Sequence, residues 1–527
     1  MTKIHQKIII FFSIIFSVYC ALTIGQSWDE SGELLRGKIA IDYLLSLGKV
    51  DKNIGAREFY SPMYWSIQYF LTSIFPNKYQ IQIVHLINLI CSLITILGIG
   101  KISKELFNSQ IGKITSILLF LFPIFFGHMG FNNKDTILAL SHVWIFYLLI
   151  RYIKKQNIKE KSTKYFLNIG FLAALATGIQ LVFLGSLIPV VIFILLEIFL
   201  FKRFVIKNFN FTKFLYDLIK SFFVFYLLLI IFWIDVHPNI LTLPFSFLIG
   251  TTSENYWTGW PGTLLNGNYY LSIEVPKSYI LLNLLYKTPE FILLLYIYFL
   301  FIFTKYRFYL NSNLKNFNYN LSIIIFILIF PHLILFLLPY PVYDGLRLFI
   351  WFIPYFCIIP AISIYYLINN FKILHTKIIS ICFLFSFIYF IFNFFMITPY
   401  QYTYLNLLSG KAESRYKKFE NDYWASSINE LVKKIEINKN EEIKLAGCGI
   451  IPELTKKYLN NEGYLNSNFT SFEEADYIIM TNRVMLEIKD DESISLINCF
   501  DKYHGTDIFK VERNNLILST FRKIDKN

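Results

Sequence analysis

The sequence predicts an all-α polytopic membrane protein that ends in a small α/β module outside the membrane. Of its 527 residues, 55% are hydrophobic and 16% are charged, whereas soluble domains are about 25% charged. The apolar residues are gathered into runs, such as residues 8–24, 222–234 and 378–397, which approach the roughly 20 residues that a membrane-spanning helix needs. We therefore assign residues 1–397 to a transmembrane domain and residues 398–527 to an extramembrane tail.

The apolar runs predict about eleven transmembrane helices, at about 20 residues each. The division is least clear at residues 165–201, which could form one long helix or two short ones. Basic segments at residues 154–164 and 202–220 flank this stretch, and basic loops favour the cytoplasmic side. Two crossings keep both segments on that side, so two helices are predicted. The expected spans are residues 8–26, 81–100, 109–127, 136–151, 165–181, 183–201, 219–236, 289–304, 320–338, 349–368 and 377–397.

The distribution of basic residues also predicts the orientation of the chain. With the N-terminus in the cytoplasm, the cytoplasmic segments carry more Lys and Arg than the outer loops, as membrane proteins usually do. This orientation places the loops 27–80 and 237–288, the turns 128–135 and 339–348, and the tail on the non-cytoplasmic face.

The tail differs in composition from the rest of the chain, since it is rich in Lys, Glu, Asp and Asn. Strand-like stretches at residues 443–451, 477–481 and 515–520 alternate with helical stretches at 424–437 and 452–459, which predicts a small α/β module. Cys448 and Cys499 could form a disulfide if the tail faces an oxidising compartment.

The net charge of +13 does not indicate nucleic-acid binding. Many of the Lys and Arg residues lie in short loops between apolar runs, where they orient helices in the membrane. Aromatic residues make up 19% of the chain, and in this setting they are typical of lipid-facing and interfacial positions rather than of base-stacking surfaces. No Cys/His spacing typical of a metal site occurs.

An acidic motif follows the first predicted helix, where residues 26–33 read Gln-Ser-Trp-Asp-Glu-Ser-Gly-Glu. A carboxylate of Asp29 or Glu30 at the membrane surface could remove the proton from an attacking hydroxyl. Alternatively, Ser27 and Glu30 form a capping box at the start of an amphipathic interfacial helix. The motif alone does not decide between these interpretations.

Two further outer turns carry charged residues. In the first, His128, Asn132, Asn133, Lys134 and Asp135 lie close together; Asp135 could cap the next helix, or the turn could complete a polar pocket with the acidic motif.

The second turn reads Tyr-Pro-Val-Tyr-Asp-Gly-Leu-Arg at residues 340–347. Arg347 could snorkel to the membrane surface, or its guanidinium could bind a lipid phosphate in bidentate fashion. Asp344 could cap the helix or orient Arg347.

The chain re-enters the membrane through an aromatic stretch that contains Arg57, Tyr60, Ser61, Pro62 and Tyr64. These aromatic residues could form an ordinary interfacial belt, or they could line a groove for a prenyl chain and a sugar ring. Both interpretations stay open.

Taken in this order, the motifs resemble those of the protein-mannosyltransferase-like family of membrane glycosyltransferases, which have the GT-C fold. The resemblance covers residues from about 1 to 430 and depends on several motifs in register rather than on any single one. These are Asp29-Glu30 after the first helix, Tyr-Ser-Pro-Met-Tyr at 60–64, Asn-Asn-Lys-Asp at 132–135, Val-Pro-Lys-Ser-Tyr at 275–279 with Lys-Thr-Pro at 287–289, Tyr-Asp-Gly-Leu-Arg at 343–347, Pro-Tyr-Gln-Tyr-Thr-Tyr-Leu-Asn at 399–406 and Asp-Tyr-Trp at 422–424.

The resemblance implies an inverting transfer of a sugar from a polyprenyl-phosphate donor to a hydroxyl of a glycan, lipid or protein acceptor. It implies that Asp29 is the general base and that Glu30 and Asp135 assist or shape the site. No cofactor is expected, since the mannosyltransferase branch needs no obligatory metal, although other GT-C enzymes use one. The reaction would take place on the non-cytoplasmic face, at the periplasmic or extracellular side of a bacterial inner membrane. The residues expected to bind the donor phosphate or its lipid are Arg347, Lys134, Arg57, Tyr60, Tyr64, Tyr343 and Asp344.

One position departs from the related aminoarabinose transferases, which carry Lys beside the Pro where this chain has Ser61; Arg57 is a possible substitute for that phosphate contact. Two other functions remain open: a transporter or flippase of lipid-linked sugars, and a non-catalytic assembly partner. A transporter needs polar groups near the middle of the membrane. The spans contain few of these: Asn88, Gln180, Glu197 and His332.

Overall fold

The computed structural model describes residues 3–49, 59–157, 159–251, 259–338, 340–488 and 494–525. Within these ranges, seven helices are long and apolar enough to cross a membrane. The protein is therefore a multi-pass membrane protein, as predicted. The seven spans are Ile4–Thr23, Asn77–Leu106, Asp135–Lys155, Phe211–Phe232, Phe317–Leu337, Arg347–Asn369 and Leu374–Met396.

The remaining predicted spans coincide with helices that are shorter or bent. The stretch at residues 165–201 is broken near Gln180 into two apolar helices, Thr163–Ile179 and Ile188–Phe201. The helices Tyr279–Lys287 and Glu290–Lys305 meet at 114° and could together form an eighth span. The total of about eleven crossings therefore stays a prediction, although a helical segment occupies each predicted position.

In chain order, the helices up to residue 397 are α1 (Lys3–Thr23), α2 (Glu30–Leu45), α3 (Met63–Thr72), α4 (Gln80–Leu106), α5 (Ser109–Phe120), α6 (Pro123–His128), α7 (Asp135–Lys155), α8 (Lys159–Ile179), α9 (Phe183–Ser186), α10 (Ile188–Leu196), α11 (Phe211–Phe232), α12 (Leu243–Gly250), α13 (Tyr279–Lys287), α14 (Glu290–Lys305), α15 (Arg307–Asn313), α16 (Phe317–Leu337), α17 (Ile353–Phe356), α18 (Ile358–Asn369) and α19 (Leu374–Met396). A π-helix spans Glu197–Phe201, and 3-10 helices span Asn77–Tyr79, Ile234–Asn239, Arg347–Phe352, Gln401–Thr403, Leu407–Ser409 and Ala412–Lys417.

Small residues allow the first helices of the bundle to pack closely. A Cβ added to Gly112 on α5 would lie 2.5 Å from the carbonyl oxygen of Gly100 on α4. Helices in membranes associate through such small residues because lipid offers little hydrophobic drive for helix–helix contact.

The loop after α1 contains the predicted amphipathic helix, α2, which packs against α3. Its buried face carries Leu34, Gly37 and Ala40, whereas Leu35 and Leu45 are exposed. Helix α3 begins directly after Pro62, whose fixed φ suits a helix start. The amphipathic pattern thus places the N-terminus of α2, and with it the acidic motif, against the bundle.

The tail forms the predicted α/β module, which contains more strands than the sequence indicated. A five-stranded sheet has the order β4-β3-β5-β9-β8, in which β3 pairs in parallel with β4 and β5, and β9 pairs in antiparallel with β5 and β8. The strands β4 and β6 to β8 were not predicted, because they are short or carry mixed polar sequence. The elements are α20 (Ile428–Lys433), β3 (Ile443–Cys448), α21 (Pro452–Asn461), β4 (Ser467–Phe469), β5 (Tyr477–Thr481), β6 (Val484–Ile488), β7 (Ile494–Asn498), α22 (Cys499–Lys502), β8 (Gly505–Arg513) and β9 (Leu516–Ile524).

Two antiparallel hairpins and a disulfide complete this region. Strands β1 (Gly262–Leu265) and β2 (Asn268–Leu271) pair within the loop 237–288, and β6 pairs with β7. Cys448 and Cys499, which the sequence left open, form a disulfide that joins the end of β3 to α22.

The module lies directly on one end of the helical bundle. A Cβ added to Gly25, after α1, would lie 2.2 Å from the carbonyl oxygen of Ser426. Arg513 Nε donates a hydrogen bond of 2.7 Å to the carbonyl of Thr398, just after α19. The acidic motif after α1 and the turn before α7 lie at this same end, so the module covers the region in which the candidate residues meet.

Candidate active site

A cavity of about 270 Å³ lies between the end of the bundle and the module. Segments that are far apart in sequence contribute its walls, and charged and aromatic side chains alternate around it. Such a concave site with a few converging polar groups is typical of a small-molecule or cofactor site. The lining residues are Trp28, Asp29, Phe59, Tyr60, Lys134, Asp135, Ile179, Gln180, Gly259, Trp260, Tyr340, Pro341, Tyr343, Asp344, Arg347, Leu348, Trp424 and Arg483.

Lys134 connects two carboxylates at one side of the cavity. Its Nζ lies 3.0 Å from Asp29 Oδ2 and 2.8 Å from Glu33 Oε1. Burial alone would lower the pKa of Lys134, but Asp29 and Glu33 together raise that pKa above its ordinary value. Lys134 is therefore a fixed cation, and it also lies 5.6 Å from the centre of the Tyr60 ring.

The two carboxylates differ in their access to the cavity. The side chain of Asp29 is 24% exposed and lines the cavity, whereas that of Glu33 is fully buried. Burial raises the pKa of Glu33 to about 7, although Lys134 opposes that shift. Asp29 is thus the carboxylate that is accessible from the cavity, while Glu33, for which the sequence predicted no role, contacts Lys134 from its buried side.

Glu30, which was expected to assist or shape the site, does not itself line the cavity. Its Oε1 lies 2.8 Å from His85 Nε2, and its Oε2 accepts a 2.5 Å hydrogen bond from the backbone N–H of Ser27. The hydroxyl of Ser27 has no partner among the described residues, so only the Glu30 half of the predicted capping box forms. Glu30 is a structural residue that fixes the start of α2 on α4.

The start of α7 is capped by Asn132 rather than by Asp135. Asn132 Oδ1 accepts hydrogen bonds from the backbone N–H groups of Lys134 (3.1 Å) and Asp135 (2.9 Å). The carboxyl of Asp135 instead accepts a 2.9 Å hydrogen bond from Asn132 Nδ2 and lies 3.4 Å from Arg347 Nε. The cap interpretation of Asp135 is therefore wrong, and its carboxylate points into the cavity.

Arg347 is buried and paired rather than snorkelling to the surface. Its Nη1 donates a 2.8 Å hydrogen bond to Asp344 Oδ2, and its guanidinium lies 4.7 Å from the Trp424 ring and 5.2 Å from the Tyr343 ring. Asp344 and Gly345 both have positive φ, at 57° and 63°, a conformation that Asp and Gly tolerate better than most residues. This turn directs Asp344 back towards Arg347, so Asp344 orients Arg347 and does not cap a helix.

The aromatic stretch before α3 divides between the cavity and the core. Tyr60 lines the cavity, but Tyr64 does not; its hydroxyl lies 3.2 Å from Asn88 Oδ1 within the bundle. Ser61 Oγ donates a 2.8 Å hydrogen bond to the carbonyl of Leu229. Neither Tyr64 nor Ser61 lines the cavity, and Arg57 lies outside the described residues.

Several lining residues were not found by sequence reasoning, chiefly the aromatic residues Trp28 and Trp260 and the cation Arg483. The rings of Trp28 and Trp260 meet edge to face at 5.1 Å, and the Arg483 guanidinium lies 4.2 Å from the Trp260 ring. Trp424 belongs to the Asp-Tyr-Trp motif that the family resemblance includes. Arg483 has no comparable signal, because it follows a strand in a tail that matches no motif.

Among the residues that the structure describes, no group of three or more His, Cys, Asp or Glu side chains could hold a metal ion. The charged groups of the cavity are instead paired with each other. Lys134, Arg347 and Arg483 are its cations, and each contacts at least one carboxylate.

The fold and this cavity define a polytopic membrane protein of the GT-C type, with an extramembrane module over the cavity. Residues 60–234 match the family model described as dolichyl-phosphate-mannose-protein mannosyltransferase. The predicted resemblance to the protein-mannosyltransferase-like GT-C glycosyltransferases is thereby confirmed. No curated protein sequence matches the chain significantly.

One solved structure shows the same fold over nearly the whole chain. The crystal structure of ArnT from Cupriavidus metallidurans in the apo state is similar with a TM-score of 0.50 and 11% identity, over 99% of this chain and 98% of that chain. For ArnT from the same organism bound to undecaprenyl phosphate, the TM-score is 0.49 and the sequence identity is 10%, over 99% of this chain and 98% of that chain. For the Archaeoglobus fulgidus oligosaccharyltransferase in the apo form, the TM-score is 0.43 and the sequence identity is 11%, over 88% of this chain and 65% of that chain.

Proposed function

We propose that this protein transfers a sugar from a polyprenyl-phosphate donor to a hydroxyl acceptor on the non-cytoplasmic face of the membrane. The observation that carries the proposal is that Asp29, Lys134 and Arg347, from three separate outer segments, line one cavity. The family model that matches residues 60–234 describes enzymes that use a mannose linked to dolichyl phosphate, which supports a polyprenyl-phosphate donor.

In the proposed mechanism, Asp29 acts as general base. Its carboxylate accepts the proton of the acceptor hydroxyl while the oxygen attacks the anomeric carbon of the donor sugar. The bond between that carbon and the phosphate oxygen breaks with its electron pair, so that polyprenyl phosphate leaves and the anomeric configuration inverts. A single displacement of this kind needs the base and the leaving phosphate on opposite sides of the sugar.

Arg347 is proposed to stabilise the leaving phosphate, whereas Lys134, whose Nζ lies 3.0 Å from Asp29 Oδ2, holds the carboxylate of the base. A guanidinium binds a phosphate through two parallel hydrogen bonds. Because Arg347 is already paired with carboxylates, the donor phosphate must compete with Asp344 and Asp135 for Arg347. This pairing keeps Arg347 in place when no donor is bound.

Two of the polar groups within the spans, Asn88 and Glu197, do not support the transporter alternative. Asn88 Nδ2 donates hydrogen bonds to the carbonyls of Met129 and Asn132, at 3.1 and 2.8 Å. Glu197 accepts hydrogen bonds from the Tyr319 hydroxyl and the Phe204 N–H, at 2.5 and 2.7 Å. Both groups are engaged within the protein rather than directed at a transport path.

The proposal is tested by sugar transfer in purified, lipid-reconstituted protein with a panel of polyprenyl-phosphate sugars. Asp29→Asn keeps the shape of the side chain but removes the base, so it should lower kcat by at least about 100-fold. Asp42→Asn, on the same helix α2 but outside the cavity, should leave kcat unchanged.

Undiminished transfer by Asp29→Asn would eliminate Asp29 as the base. If no donor supports transfer by the wild type but the protein moves a lipid-linked sugar across the membrane, the transport alternative replaces the transferase.

A further inference from the structure

The C-terminal module contributes a side chain to the cavity. Strand β5 ends at Thr481 and β6 begins at Val484, and the connection between them carries Arg483. Arg483 lines the cavity, although its side chain is only 3% exposed. A residue of the module therefore lies among groups that the membrane domain supplies.

Arg483 and Arg347 share one carboxylate. Asp344 Oδ2 accepts a hydrogen bond from Arg347 Nη1 at 2.8 Å, while Asp344 Oδ1 accepts one from Arg483 Nη1. Asp344 is almost fully buried, so both its oxygens are fixed by guanidinium groups from the two parts of the chain. Because charge-assisted hydrogen bonds are directional, Arg483 sets the orientation of Asp344, and Asp344 sets that of Arg347.

Other contacts hold Arg483 between the module and the outer loop. Its Nη1 lies 3.4 Å from Glu420 Oε1, and the same carboxylate oxygen accepts a 3.0 Å hydrogen bond from the N–H of Val484. The indole Nε1 of Trp260 donates a 2.8 Å hydrogen bond to the carbonyl of Val484, and the Trp260 ring lies under the guanidinium. A cation over an indole ring is the strongest of the common cation–π arrangements.

The disulfide braces the backbone of this connection. The N–H of Cys499 donates a 2.9 Å hydrogen bond to the carbonyl of Arg483. Gly449 follows Cys448 with φ of +67°, and a Cβ added there would lie 2.5 Å from the Cβ of Arg483. Both ends of the disulfide therefore adjoin the backbone that carries Arg483.

We propose that Arg483 is a positioning residue of the site, which acts through Asp344 to hold Arg347 for the donor phosphate, and that the Cys448–Cys499 disulfide keeps it in place. This inference rests on the proposed transferase function. It makes the module a functional part of the site, since the phosphate-binding cation of the membrane domain is held from the tail. It also makes donor binding depend on the oxidised state of the two cysteines.

The test compares Arg483→Gln and Arg483→Lys with the wild type in the reconstituted transfer assay. We expect Arg483→Gln to raise KM for the polyprenyl-phosphate sugar at least tenfold while kcat changes less than threefold. Arg483→Lys keeps the positive charge but loses the planar, forked arrangement of N–H donors of a guanidinium. Its KM should therefore lie between the KM of the wild type and that of Arg483→Gln. Retained thermal stability of both variants is checked in detergent.

Arg513→Gln is the matched control. Arg513 also pairs with a carboxylate, Glu430, and contacts Thr398 at the junction with the membrane domain, but it does not line the cavity. Its KM should equal that of the wild type. If Arg513→Gln raises KM as much as Arg483→Gln does, the effect comes from loosening of the module in general, and the role of Arg483 is refuted.

The disulfide is tested by the Cys448→Ser/Cys499→Ser variant and by the same changes combined with Arg483→Gln. The cysteine changes should raise KM, and the combined variant should be no worse than Arg483→Gln alone, because both act on one positioning contact. Additive effects, or an unchanged KM in the cysteine variant, would overturn this part of the inference.

Binding of polyprenyl phosphate without a sugar separates the two proposals, since it needs no turnover. Thermal stabilisation of the wild type by this carrier should be weakened in Arg483→Gln, because a ligand stabilises a protein according to its affinity. A wild type that neither transfers a sugar nor binds the carrier refutes the proposed function itself. A wild type that does both, beside an Arg483→Gln variant with unchanged KM and carrier binding, refutes only the inference about Arg483.

Discussion

At the scale of single residues, burial determines how the carboxylates around Lys134 behave. Asp29 and Glu33 lie at similar distances from Lys134 Nζ, at 3.0 and 2.8 Å, but only Asp29 reaches the cavity. The loss of hydration disfavours the charged form of a buried carboxyl, and for Glu33 this effect exceeds the attraction of Lys134. Asp29 and Glu33, which both contact Lys134, therefore differ in their accessibility and in their readiness to ionise because they differ in burial.

The raised pKa of Glu33 predicts a pH dependence of stability. Since Glu33 in the folded protein keeps its proton up to about pH 7, whereas an ordinary Glu loses it near pH 4.5, the unfolded state releases the proton first. The free energy of unfolding therefore falls as pH rises from 4.5 to 7, by up to about 3 kcal/mol. Glu33→Gln, which cannot ionise, should lack this component.

The measurement is the thermal unfolding temperature of the purified protein across this pH range. The wild type should lose stability relative to Glu33→Gln as pH rises, while Asp42→Asn should follow the wild type. Parallel curves for the wild type and Glu33→Gln would show that Glu33 ionises normally.

Most of the cavity's charged residues could be predicted because they follow or precede apolar runs on one side of the membrane. Asp29, Lys134, Asp135 and Arg347 are examples, and each lines the cavity. Glu30 is adjacent to Asp29 in sequence, but helix geometry turns its side chain towards His85 instead. Sequence adjacency thus identified the correct turn but not which of its side chains lines the cavity.

At the scale of secondary-structure elements, the position of α2 determines where Asp29 and Glu33 lie. Helix α2 contacts α3 through Gly37, since a Cβ there would be 2.2 Å from the carbonyl oxygen of Trp65. Gly32, on the same helix, has no atom within 4 Å of the corresponding position. The two glycines therefore allow the packing of α2 to be tested separately from its helix propensity.

Gly37→Ala should destabilise the protein by about 1–3 kcal/mol, because the backbone of α3 must move to admit the methyl group. It should also lower transfer activity, since α2 carries the acidic motif. Gly32→Ala should be neutral or stabilising by up to about 1 kcal/mol, because Ala favours a helix more than Gly. Thermal unfolding and the transfer assay check both variants, and equal effects of the two changes would contradict the close contact at Gly37.

The helices themselves and the break near Gln180 were largely predictable from the hydrophobic runs and the flanking basic segments, but other breaks were not. The segment that begins at Arg347 starts as a 3-10 helix, Arg347–Phe352, before it continues through α17 and α18. The bend of 114° between α13 and α14 also has no clear sequence signal beyond Pro289. Such breaks depend on packing between helices, which a hydrophobicity pattern does not contain.

At the scale of the whole molecule, the two ends of the bundle carry different chemistry. The cavity end joins Asp29, Lys134, Arg347 and the module, whereas the opposite ends of α4 and α7 meet in an ion-pair cluster in which Glu105 lies 2.8 Å from Arg151 and 2.7 Å from Lys154. The disulfide lies in the module, and disulfides persist in oxidising compartments. These features favour the predicted orientation, with the module outside and the basic segments in the cytoplasm.

Thiol labelling in intact cells tests this orientation. Lys457, on α21 of the module, and Lys207, in the basic segment before α11, are both exposed, so a cysteine at either position is accessible from its own side of the membrane. Lys457→Cys should react with a membrane-impermeant maleimide added outside the cells, whereas Lys207→Cys should react only after the membrane is permeabilised. Both substituted residues are exposed lysines, so neither the residue replaced nor its burial explains a difference between them. Labelling of Lys207→Cys but not Lys457→Cys from outside would invert the orientation and place the cavity, with its proposed base Asp29, in the cytoplasm, where the Cys448–Cys499 disulfide would be reduced.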